Sequence, residues 1–81
     1  MASRKTNTGG KKAALRFQVA FERETDGRWI AEIASLPGAM AYGKTKGEAL
    51  AAVEALALRI LADRIEEEKL AQTAISFASG G

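Results

Sequence analysis

The chain has 81 residues and contains neither cysteine nor histidine. Without cysteine there are no disulfides and no thiolate zinc sites, and without histidine the commonest general base and the commonest metal ligand are missing. No serine has a histidine to activate it, so enzyme readings start at a disadvantage. Aromatic residues make up only 6% of the chain, and Pro37 is its one proline. No window approaches the roughly 18 apolar residues that a membrane span needs. The opening ASRKTNTGGKK is polar throughout and lacks the apolar region of a signal peptide. These absences point to a cytoplasmic protein.

What remains, 47% hydrophobic and 27% charged, is the composition of one soluble globular domain. The formal charge of +2 is unevenly spread. Arg4, Lys5, Lys11 and Lys12 lie in the first twelve residues with no acid among them, whereas residues 13–81 hold 8 basic and 10 acidic residues, a net of −2. The basicity therefore belongs to a tail, and the globular part is mildly acidic. Ser, Thr, Asn and the Gly9-Gly10 pair give that tail too little apolar surface to order itself. The expected organisation is a flexible basic tail over residues 1–13, a domain over 14–78, and a frayed end over 79–81.

From Leu15 the residues alternate, with Leu15, Phe17, Val19 and Phe21 on one face and Arg16, Gln18 and Glu22 on the other. This is the pattern of a half-buried strand. Asp26-Gly27 then supplies the positive backbone angles of a tight hairpin turn. In the run RWIAEIASL the alternation resumes, with Trp29, Ala31 and Ile33 opposite Arg28, Ile30 and Glu32. Leu36-Pro37-Gly38 has the type II turn pattern, in which proline fixes the first central angle and glycine accepts the left-handed second one. A short third strand over residues 39–43 places Met40 and Tyr42 on one side.

Thr45 and Glu48 have the spacing of a capping box, in which the threonine hydroxyl accepts from the Glu48 N–H and the glutamate reaches back to the Thr45 N–H. Beyond them Leu50, Val53, Ala57, Ile60 and Leu61 form an apolar stripe at helical period. This helix is expected to end between residues 66 and 71, beside the acidic run Glu66, Glu67 and Glu68. A fourth strand follows over residues 73–78. The order is strand, strand, strand, helix, strand: an α+β two-layer domain with a mostly antiparallel four-stranded sheet and one helix on one face. A right-handed crossover places the fourth strand beside the first and parallel to it. So small a core leaves a thin margin of stability, and Ile30 and Leu58 fall off the core-facing stripes of their elements. A homo-oligomer, dimer or tetramer, is expected.

The residue chemistry offers little for catalysis. Glycines 38, 43 and 47 do not form a phosphate-cradling loop, and Gly43-Lys44-Thr45 lacks the upstream glycine that a phosphate-binding loop requires. The scattered carboxylates suggest no metal site, and no cofactor is implied. Two binding readings stand. A protein-docking module would use the acids Glu22, Glu24, Asp26 and Glu32 as partner contacts. A nucleic-acid binder would instead reach phosphates with Arg4, Lys5, Lys11, Lys12, Lys44 and Lys46.

Over residues 15–65 the chain resembles the HicB antitoxin family. The resemblance is carried by Trp29 on the hairpin, Leu36-Pro37-Gly38, Gly43, Thr45, and the helix start Glu48-Ala49-Leu50. It implies a partial RNase H-like fold that is not a nuclease, and a role in binding and blocking a small RNA-cleaving toxin of the HicA type. Relatives often carry a C-terminal DNA-binding domain. This chain resembles a solitary HicB-like domain, for which operator binding is not expected. It departs from the family pattern at Ala34-Ser35, where relatives often have proline and an acid, and at Lys44, where they often have an acid.

Overall fold

The structure, a computed structural model, describes residues 11–79. Four strands and one helix follow in the order β1 (Lys11–Arg23), β2 (Trp29–Glu32), β3 (Met40–Gly43), α1 (Lys46–Glu68) and β4 (Leu70–Ser79). The strands form one sheet in the order β3-β2-β1-β4. The α+β class and the chain order are as expected. The sheet is mixed rather than mostly antiparallel: β1–β2 and β2–β3 are short antiparallel pairings, while β1–β4 is parallel and spans Lys11↔Leu70 to Val19↔Ser79.

β1 begins at Lys11, four residues before its alternation is legible, so residues 11–13 of the expected tail are strand. Pairing with β4 supplies the hydrogen bonds that local sequence does not announce. Residues 1–10, with Arg4 and Lys5, lie outside the described residues.

The hairpin between β1 and β2 corrects a detail. Gly27 has a φ of 93° but Asp26 does not have a positive φ, so the two-residue turn is not formed. Glu24 N–H donates to the Arg28 carbonyl at 2.7 Å, and Gly27 N–H to the Glu24 carbonyl at 2.9 Å. This is a three-residue loop, a type I turn closed by a left-handed glycine, a common alternative for hairpins.

The second turn is built as its sequence suggests. Ala39 N–H donates to the Leu36 carbonyl at 3.0 Å across Pro37 and Gly38, and Gly38 has a φ of 89°. A further turn, Leu36 N–H to the Ile33 carbonyl, precedes it. Together they tuck Leu36 and Ala39 into the core, each 2% exposed.

α1 lies over one face of the sheet, packed chiefly on β3 and β2. Its buried residues Ala49, Val53, Ala57 and Leu61 recur every four positions and share one core with Phe17, Val19 and Ala31 from the sheet and Ile33 just after β2. Leu50 and Ile60, at the margins of the expected stripe, are half-buried against this core. Alanine at 49 and 57 lets the helix sit close, as core packing at crystal density demands. The helix ends within the expected interval, capped by Lys69 in a left-handed conformation whose N–H donates to the Ile65 carbonyl.

Candidate functional site

Because side chains alternate along a strand, burying one face under α1 leaves a second face built from the intervening residues. The registers fix its rows. Tyr42 stands beside Ile30, and Ile30 beside Glu22; one row on, Met40 stands beside Glu32, and Glu32 beside Ala20. Met40 and Tyr42 are about half exposed, at 49% and 47%, and Ile30 is partly so. Ala20, Phe21, Glu22, Ile30 and Glu32 line a depression there. Three apolar side chains thus form a patch with a carboxylate in each row, the arrangement expected of a protein contact surface.

The four acids singled out from sequence do not all share this patch. Glu22 and Glu32 are exposed on it. Asp26 sits in the hairpin loop, where it accepts from the Arg28 backbone N–H at 3.0 Å and from its Nε at 2.8 Å. The first of these bonds is the main reason its carboxyl lies below the ordinary value of 3.8, with the guanidinium lowering it further. Asp26 therefore closes a turn, and Glu24 borders the same loop through its backbone.

The cations divide in a similar way. Arg28 lies over the Tyr42 ring at 4.6 Å, bringing one positive charge to the patch edge. Lys46 lies over Phe21 at 4.8 Å and Trp29 at 5.8 Å, and Arg23 over Trp29 at 5.4 Å. Trp29 thus anchors the covered face near the start of α1, and Lys46 is held against rings. Lys44 is exposed in the segment joining β3 to α1. Lys11 and Lys12 open β1 at the far end of the sheet from Lys44 and Lys46, so the described members of the expected nucleic-acid set are not gathered in one place.

The motif residues have structural work. Glu48 N–H donates to Thr45 Oγ1 at 3.0 Å, forming half of the capping box. The reciprocal bond differs from expectation: Glu48 Oε1 accepts from the Lys44 N–H at 3.0 Å instead of from Thr45. Gly43 lies directly beneath this first helical turn. A Cβ there would meet the Ala49 nitrogen, and would approach the Glu48 carbonyl carbon at 2.7 Å and Glu48 Cβ at 2.8 Å. The glycine-x-threonine step is thus a close crossing of strand and helix start, followed at once by a cap.

In the sequence Ile30 falls off its strand's stripe and Met40 and Tyr42 share one side, but nothing local joins the three. Their convergence depends on the β2–β3 register, which period alone does not give. Among the described residues no group of acids is placed to hold a metal ion, and no helix is long and apolar enough to cross a membrane. Comparison with protein-family models, curated proteins and solved structures finds no match.

Proposed function

We propose that this chain is a HicB-like antitoxin module that covers a small HicA-type ribonuclease in the cytoplasm, without chemistry of its own. In this reading the β-β-β-α-β order is a partial RNase H-like fold used as a docking platform. The observation that carries it is the open sheet face, where Ile30, Met40 and Tyr42 cluster beside Glu22 and Glu32. The apolar residues would supply buried contact area. The carboxylates would steer and orient a basic, RNA-binding partner, since complementary charge speeds and aligns association. The motif series of the resemblance adds support, because Trp29, Pro37, Gly38, Gly43, Thr45 and Glu48 each shape the fold behind that face.

The test is an RNA-cleavage assay with a HicA-type ribonuclease encoded beside this gene. Stoichiometric addition of the protein is expected to suppress cleavage, and Ile30→Asp with Tyr42→Ala to relieve the suppression while leaving the fold intact by circular dichroism. Undiminished cleavage at stoichiometric excess of the unaltered protein would end the proposal.

A further inference from the structure

The two edges of the sheet are treated very differently. β3, one edge, is four residues long and runs straight into Lys44, and short length and lysine both discourage strand addition. β4, the other edge, is ten residues long, LAQTAISFAS, with no charge, no proline and no glycine. Among the described residues no strand lies beyond it. A long, uncharged edge without a breaker is what a soluble protein ordinarily avoids, because its unpaired N–H and C=O groups template pairing with another chain.

The neighbour of β4 sharpens the point. Residues 11–19 of β1 pair with β4 alone, since β2 meets β1 only from Ala20 to Arg23. This half of the sheet is therefore a two-stranded parallel ribbon, and parallel pairs are normally embedded in a wider sheet. Its covered side is incompletely roofed. Phe77 stacks on Phe17 at 5.9 Å between centroids, yet Phe77 and Ile75 remain only half-buried, because α1 leans over β2 and β3.

We propose that β4 pairs antiparallel with β4 of a second copy of this chain, about a two-fold axis perpendicular to the sheet. The result is one eight-stranded sheet with both helices on the same face. A second copy fits for reasons of charge and symmetry. In an antiparallel homodimer the residues on either side of the axis face one another, so a strand with net charge of one sign would be repelled by its copy, and β4 carries no charge. The axis keeps each face on its own side, bringing Ile75 and Phe77 beside their counterparts on the helix-bearing face, where each would cover apolar surface that α1 leaves half-exposed. The contact is isologous and uses up the long edge, so it closes as a dimer instead of growing into a filament. This proposal is independent of the antitoxin reading, since β4 and the patch on β2 and β3 are separate parts of the sheet.

The test exploits like charge. Ala74 and Ser76 are exposed on the open face, away from α1, so Ala74→Glu with Ser76→Glu, and Ala74→Lys with Ser76→Lys, should leave each subunit folded. Sedimentation is expected to give twice the 8.6 kDa chain mass for the unaltered protein. Each double variant alone should run at the single-chain mass with unchanged circular dichroism, and an equal mixture of the two should recover the dimer. An unaltered protein that stays monomeric at all concentrations would overturn the proposal. So would double variants that still dimerise, or a mixture of the two that stays monomeric.

Discussion

Gly43 shows how one residue decides the spacing of two layers. Because the Ala49 nitrogen and Glu48 lie where a side chain would begin, alanine there must push the helix start away from β3. Overpacking of this kind commonly costs about 1–3 kcal/mol. Gly43→Ala is expected to lower the urea midpoint accordingly, and an unchanged midpoint would refute the close crossing. Asp26 supports a pH prediction. Its pKa is lowered in the fold, so its bonds to Arg28 stabilise the protein above the unfolded value near 3.8, and that contribution is lost as pH falls through the lower folded value. The stability advantage of the unaltered protein over Asp26→Asn should be present at neutral pH and should shrink as pH drops below 3.8. Denaturant titrations of the two proteins from neutral pH downward would show this, and a difference independent of pH would contradict it.

At the scale of elements, what was legible in the sequence was whatever local rules fix. The helix could be read from its stripe and cap, and the type II turn from proline and glycine at Pro37-Gly38. Three things depended on distant partners. β1 reaches back to Lys11 only because β4 lies beside it. The Asp26-Gly27 loop took three residues instead of two because the pair that closes it is Glu24 and Arg28. The patch of Ile30, Met40 and Tyr42 appeared only when the register brought two strands together. Local rules also make the cap testable. Thr45→Ala removes the acceptor for the Glu48 N–H and should cost about 1 kcal/mol, whereas Thr45→Ser should retain most of the stability. A loss of that size corresponds to roughly 4–8 °C in the thermal midpoint of a domain this small.

For the molecule as a whole, stability should not be uniform, and the sheet has a firm half and a dependent one. Ala31, Val53 and Leu61 are 0% exposed and lie between α1 and the sheet, so their amides should exchange through the largest openings. The β1–β4 ribbon lies farther from the helix, and its protection should depend on what pairs with β4. Glu24 bonds toward β2, and by alternation so do residues 22 and 20, so Leu15, Phe17 and Val19 bond toward β4. In a parallel ladder their partners Ile75 and Phe77, and with them Thr73, then direct their own N–H groups outward. Hydrogen exchange on the unaltered protein should find these three amides protected. In the variant combining Ala74→Glu with Ser76→Glu they should exchange about tenfold faster or more, a change of roughly 1.4 kcal/mol per site. Ala31 and Val53 should keep their rates. Thr73, Ile75 and Phe77 exchanging freely in the unaltered protein would mean that the outer edge of β4 meets only water, and a general rise across the core would mean that the acids had loosened the whole subunit.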